Sequence, residues 1–317
     1  MNVIINTFCN LHCPYCFASN VIDRYAAHNC MTIDNFEKAL SFLKYNGMDE
    51  VRLIGGEPTL HPKLKEFIEK TVDFGFTDIM IFTNGLFNKD LANYFKQVSK
   101  RINLHFLFNV NEPRLLKEKY QTIINNLYDL SGYAQVTVGI NFYSPDQEYE
   151  YIVDLAKEFG CNTIRWSLTI PNAKEVNYLS FINHVNKNKK NIIHFFELCS
   201  DANIVAHQDC NALPICMFDP EDIIKILHVK PDTFTKTHCE QAVIDVTPDL
   251  KVYRCFGMTD VESEISLLNF NTFGEIYEYY HNFDEKFRKI HLFSRCAECK
   301  TQERNGTSCG CLKYRNN

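Results

Sequence analysis

Val3-Ile4-Ile5-Asn6-Thr7-Phe8-Cys9-Asn10-Leu11-His12-Cys13-Pro14-Tyr15-Cys16 decides how the chain is read. Residues 3–8 form a short, mainly apolar run that reads as a strand. A loop follows at once and carries three thiols in a C-x3-C-x2-C pattern. Beyond it the chain alternates. Residues 34–45 place Phe36, Ala39, Leu40 and Leu43 on one helical face, with Thr32 or Asp34 as the N-cap. Residues 51–54 read as a short buried strand and 63–74 as a helix whose first turn suits Pro62. Strand 79–82 precedes helix 90–98, strand 102–110 precedes helix 114–130, and strand 135–142 precedes helix 147–159. Residues 163–170 read as a sixth strand.

Strands that each precede a helix imply parallel pairing with helical crossovers. An open doubly wound sheet and a full or partial barrel both satisfy the pattern. Each places its chemistry at the carboxyl ends of the strands. Polar residues collect there. Cys9 to Cys16 follow the first strand, Gly55-Gly56-Glu57-Pro58 the second and Thr83-Asn84-Gly85 the third. Asn109 and Asn111 follow the fourth, and Asn141 the fifth. After about residue 171 the rhythm changes. Residues 183–190 are polar, 191–199 read as a helix, and shorter strand-like pieces follow. Residues 242–246 and 251–254 flank Thr247-Pro248-Asp249-Leu250 as a hairpin, and 274–281 read as a helix.

The chain has 317 residues and a formal net charge of -6, which argues against a partner rich in phosphate, whether nucleic acid or membrane surface. No apolar run reaches the ~20 residues of a membrane span. The opening residues have no basic n-region and no long apolar h-region, so the expected location is the cytoplasm. There thiols stay reduced, and the 14 cysteines point to metal or catalysis rather than disulfides. Three thiolates on one loop can hold three corners of an iron–sulfur cube and leave the fourth iron open. A closed zinc site would need a fourth protein ligand. His12 is the nearest candidate, but it adjoins Cys13.

The triple-cysteine loop with Tyr15 before its last Cys, placed after a first strand, resembles the signature of radical S-adenosylmethionine (radical SAM) enzymes. Gly55-Gly56-Glu57-Pro58 after the second strand is similar to that family's second mark. The resemblance implies that Cys9, Cys13 and Cys16 bind a 4Fe–4S cluster whose open iron chelates S-adenosylmethionine. It places Gly55, Gly56, Glu57 and Pro58 at the methionine amino group and Tyr15 near the adenine. Asn109 and Asn141 match positions that bond ribose or carboxylate, and Thr83 and Asn84 belong to a turn common in the family. It further implies reductive cleavage to a 5′-deoxyadenosyl radical, which takes a hydrogen from the substrate. A reductase such as flavodoxin or ferredoxin would supply the electron.

A second group of cysteines lies late in the chain: Cys239, Cys255, Cys296, Cys299, Cys309 and Cys311. Cys239 and Cys255 bracket the hairpin, so both thiolates could reach one metal, and the Cys296–Cys299 pair could close the site. Zinc is the alternative occupant. The arrangement resembles the auxiliary-cluster domains called SPASM and, in shortened form, twitch. It departs from them at Leu250, where a glycine is usual, and at the closely spaced Cys309 and Cys311. The resemblance implies one auxiliary 4Fe–4S cluster on Cys239, Cys255, Cys296 and Cys299. A second would recruit Cys309 and Cys311 with Cys210 and Cys216. Cys210 and Cys216 also read as packing cysteines or as a hydrogen donor to a substrate radical. Cys30, Cys161 and Cys199 read as packing residues.

The expected architecture is α/β: a partial (β/α)6 TIM-like barrel over residues 1–200, then a small Cys-rich α+β auxiliary-cluster domain over 201–317. The expected function is radical SAM modification of a ribosomally synthesised peptide (RiPP maturation). The alternatives are a radical SAM dehydrogenase or rearrangement enzyme for a small metabolite, and a non-catalytic iron–sulfur or zinc protein.

Overall fold

The computed structural model describes residues 1–16, 30–169, 178–209, 213, 215–234, 243–255 and 264–288. The chain begins with β1 (Asn2–Asn6), α1 (Ile33–Tyr45), β2 (Glu50–Gly55), α2 (Leu64–Asp73), β3 (Asp78–Thr83) and α3 (Lys89–Val98). It continues with β4 (Asn103–Asn109), α4 (Pro113–Leu116), α5 (Glu118–Ser131), β5 (Gln135–Phe142), α6 (Glu150–Glu158) and β6 (Thr163–Leu168). Next come α7 (Tyr178–Asp201), β7 (Val205–Gln208), α8 (Pro220–Val229), β8 (Asp245–Val246), β9 (Lys251–Tyr253), β10 (Ile265–Ser266) and α9 (Phe273–Arg288).

Two compact units emerge. The first contains Met1–Cys13, Ala18–Val138 and Ile244–Ile276, and the second Pro14–Phe17, Gly139–Val243 and Tyr277–Asn317. In the first unit the strand order is β10-β9-β8-β1-β2-β3-β4. β1 through β4 pair in parallel, so their carboxyl ends share one side of the sheet. Register sets Val3 beside Leu53, Leu53 beside Ile81 and Ile81 beside Phe106, a fully buried row. The helices cover that row with apolar faces. Phe36 of α1 stacks on Phe67 of α2 with ring centroids 4.2 Å apart. The Thr32 hydroxyl caps α1 by accepting from the Asn35 amide at 3.2 Å, and the Asn88 side chain caps α3 in the same way at 2.9 Å.

In the second unit the order is β5-β6-β7, with β6 and β7 parallel. Phe142, Trp166, Phe195 and Phe196 form its aromatic core. β7 pairs in parallel with β6 and comes after the six strands that were expected. It is four residues long and half polar, Val-Ala-His-Gln, so its pattern is weak. The polar stretch 183–190 is helical and continuous with 191–199. Val185, Asn188, Ile192, Phe195 and Cys199 recur at helical spacing on one buried face of α7.

The helix expected over 114–130 divides into α4 and α5 at Lys117, whose φ is 51 and ψ -127. The two compact units do not divide at 200/201. The β8–β9 hairpin forms, but β8 pairs in parallel with β1 and extends the first unit's sheet. Leu250 in its turn has φ 63, which explains the usual glycine there. Its side chain is buried and its carbonyl accepts from Leu267 at 2.8 Å, which offsets the strain. Residues 289–317, with Cys296, Cys299, Cys309 and Cys311, lie outside the described residues, as do Cys210 and Cys239.

Lys117 is exposed and sits in backbone space open to glycine. Lys117→Gly is therefore expected to raise unfolding stability by about 1 kcal/mol, and Lys117→Ala to leave it unchanged. Urea unfolding of the three proteins reads the difference.

Candidate functional site

The end of β1 and the turn after β2 touch backbone to backbone. The Gly56 amide donates to the Asn6 carbonyl at 3.0 Å and the Glu57 amide to the Phe8 carbonyl at 2.9 Å. The Asn6 side-chain amide returns a bond to the Glu57 carbonyl at 2.8 Å. A Cβ on Gly55 would stand 2.2 Å from Asn6 Oδ1, and one on Gly56 2.3 Å from the Phe8 carbonyl oxygen. In this structure the two glycines are required by the approach of β1 itself.

Glu57 is buried, and its carboxylate faces inward. Oε1 accepts from the Thr59 amide at 3.1 Å, the Thr59 hydroxyl at 2.6 Å and the Thr83 hydroxyl at 2.7 Å. Oε2 accepts from the Asn84 amide at 2.7 Å. Burial pushes its carboxyl above the ordinary carboxylate value, and these donors act against that shift. The sequence expectation set this side chain at a ligand amino group. In the structure its carboxylate oxygens also tie the β2 turn to the β3 turn through protein donors. Pro58 is buried and opens the short turn Pro58–Leu60 beside it.

The β3 turn in its place reaches the cysteine loop. Asn84 donates to Asn10 Oδ1 at 2.8 Å and to Cys9 Sγ at 3.7 Å. Asn10 donates onward to the Leu86 carbonyl at 3.1 Å. The Leu11 amide also points at Cys9 Sγ, at 3.4 Å. The side-chain amide of Asn111, just past β4, donates to Cys13 Sγ at 3.1 Å. Asn109, the expected ligand residue, is half-buried at the end of β4. His12 is exposed. Asn10 and Asn111 were missed as site residues. Asn10 sits inside the cysteine motif, and Asn111 sits two positions past the asparagine that was chosen.

The first unit therefore gathers Cys9, Cys13, Asn10, Glu57, Thr83, Asn84 and Asn111. In the second unit, Cys16 is half-buried, and Tyr15 packs on Tyr143 with centroids 5.4 Å apart. Asn141 Oδ1 accepts from Arg165 at 2.6 Å and from the Ser167 hydroxyl at 2.5 Å. Arg165 also pairs with Asp209. Cys216 is exposed, which rules out a packing role for it. Cys161 and Cys199 are buried, and burial pushes the Cys199 thiol up to about 12. Cys255 is half-buried just past β9.

Among the described residues no three His, Cys, Asp or Glu side chains crowd together as ligands of a single ion. The donor chemistry of the loop fits an iron–sulfur cluster: soft thiols, with amide N–H groups aimed at two of the sulfurs.

Residues 3–110 match the Radical SAM superfamily. Over those residues the chain is similar to a radical SAM domain. Its sequence is 31% identical over 106 residues to GTP 3',8-cyclase of Alkaliphilus metalliredigens, covering 33% of each chain. It is 31% identical over 143 residues to GTP 3',8-cyclase of Alkaliphilus oremlandii, covering 44% of this chain and 42% of the relative. The chain thus matches well under half the length of these curated relatives. Among solved structures, SuiB of Streptococcus suis bound to S-adenosylmethionine aligns over 98% of this chain and 72% of its own, with TM-score 0.64 and 17% identity. Native anSMEcpe with bound AdoMet aligns over 99% of this chain and 93% of its own, with TM-score 0.67 and 15% identity. At these identities the likeness is one of fold, and it agrees with the expected α/β partial barrel.

Glu57→Gln puts a carboxamide NH2 against at least one of the protein donors. It is expected to cost about 1–3 kcal/mol of stability in protein without cluster or S-adenosylmethionine. Thermal unfolding of that form gives the answer, because a residue acting only on a ligand would leave it unmoved.

Proposed function

We propose that this chain is a radical SAM enzyme that modifies a ribosomally made peptide. Cys9, Cys13 and Cys16 would hold the 4Fe–4S cluster. The backbone of the Gly55–Gly56 turn, Tyr15, Asn109 and Asn141 would contact S-adenosylmethionine. When bound, the reduced cluster supplies the electron that splits the carbon–sulfur bond of S-adenosylmethionine and yields a radical able to remove a substrate hydrogen. The protein's own task is placement. The Glu57 and Asn6 bonds tie the end of β1, which leads into the Cys9 loop, to the β2 and β3 turns, and that support favours a fixed position for Cys9.

The observation that favours a peptide is the extent of the fold likeness. Structures that align over nearly the whole chain include SuiB bound to the precursor peptide SuiA and anSMEcpe bound to the Kp18Cys peptide. The second reading, a small-molecule reaction, rests on relatives named GTP 3',8-cyclase, whose likeness covers a third to under half of this chain. We further propose one auxiliary 4Fe–4S cluster on Cys239, Cys255, Cys296 and Cys299.

Anaerobically reconstituted protein given S-adenosylmethionine and dithionite is expected to release 5′-deoxyadenosine, and Cys13→Ala to release none. Equal traces from both proteins would overturn the reading. Iron analysis of the same wild-type sample is expected to give about eight iron per chain. About twelve would require a further cluster, and about four would remove the auxiliary one.

A further inference from the structure

The cysteine loop has a feature that the radical SAM reading leaves unused. Asn111 lies 98 positions from Cys13 in the chain, yet its side-chain amide donates to Cys13 Sγ at 3.1 Å. Of the three described N–H contacts to these sulfurs it is the shortest. The Leu11 and Asn84 contacts to Cys9 are 3.4 and 3.7 Å. Asn111 is buried, between the buried Val110 and Glu112. Its loop is pinned on the far side. The Glu112 carbonyl accepts from Leu115 at 3.0 Å and Leu116 at 3.2 Å, and the Glu112 carboxylate pairs with Arg114 at 2.7 Å.

We infer that Asn111 is a positioning residue that raises the reduction potential of the cluster held by Cys9, Cys13 and Cys16. The inference rests on the radical SAM reading. Reduction adds negative charge, part of which the ligating sulfurs carry. A hydrogen-bond donor on a sulfur stabilises that charge more in the reduced state than in the oxidised one. Asn111 is itself buried, which hinders water from taking its place at the half-buried Cys13 sulfur. A pinned loop spares the donor from reorganising when the electron arrives. With a donor of this strength, a reductant of fixed potential reduces a larger fraction of the cluster.

The test is an EPR-monitored redox titration of holoprotein, following the reduced-cluster signal that changes on adding S-adenosylmethionine. Asn111→Leu keeps the volume and removes the donor. At fixed poise it is expected to lower the ratio of reduced to oxidised cluster about tenfold, which is ~59 mV for a one-electron couple. Asn111→Asp replaces the donor with an acceptor and is expected to fall lower still. A variant with full iron and the wild-type midpoint would overturn the inference. If both variants lose the cluster, wild-type protein labelled with 15N-asparagine supplies the measurement. A 15N hyperfine coupling to the reduced cluster that persists when Asn84→Leu removes the other asparagine donor supports the bond, and none overturns it. Wild-type protein with no signal sensitive to S-adenosylmethionine fails the radical SAM reading itself, which is a separate result.

Discussion

The carboxylate of Glu57, buried among donors from Thr59, Thr83 and Asn84, holds the working end of the first unit together. A buried carboxylate is costly unless its oxygens are satisfied. Here both are, by groups on two different turns. The cost of burial thereby becomes a constraint on geometry, because neither turn can move without leaving a charge or a backbone amide unpaired. Asn6 adds the third strand end by bonding the Glu57 carbonyl, and Gly55 and Gly56 allow that approach.

The cysteine loop depends on this lock. Asn84 is fixed through its backbone by Glu57 and spends its side chain on Asn10 and Cys9. Gly85 follows with φ 80, and a Cβ there would stand 2.8 Å from the Phe108 ring. Side chains at this end therefore divide into two kinds. One kind is turned inward and holds backbone; Glu57 and Thr83 belong to it. The other kind is turned to sulfur; Asn84 and Asn111 belong to it. The helices and the buried rows of the sheet keep the strand ends in register beneath both.

Most of the first unit was legible because its signals are local. Apolar spacing marked the helical face of Phe36 to Leu43, and short apolar runs marked β2 to β4. Thr32 announced the start of α1. The reading faltered where local pattern and tertiary demand part. Lys117 breaks a continuous helical pattern through a backbone angle that no propensity for lysine suggests. The lysines and asparagines of 183–190 read only as a polar stretch before a helix, but Val185 and Asn188 are held in a buried face of that helix. The strand β7 is too short and too polar to read alone. The hairpin 245–253 was legible as a hairpin, while its place beside β1 was not, since pairing of β8 with β1 joins residues far apart in the chain.

The sequence by itself determined that strands and helices alternate, that their polar residues gather at strand ends, and that three thiols share one loop. Periodicity and ligand spacing are properties of neighbouring residues, and they survive without a fold. Only the tertiary structure decided that Glu57 faces the protein's own donors, that the glycines yield to β1, and that Asn111 meets Cys13. Each of those outcomes depends on which strand ends stand side by side. That is set by parallel pairing and burial across the whole sheet, and no stretch of the chain contains it.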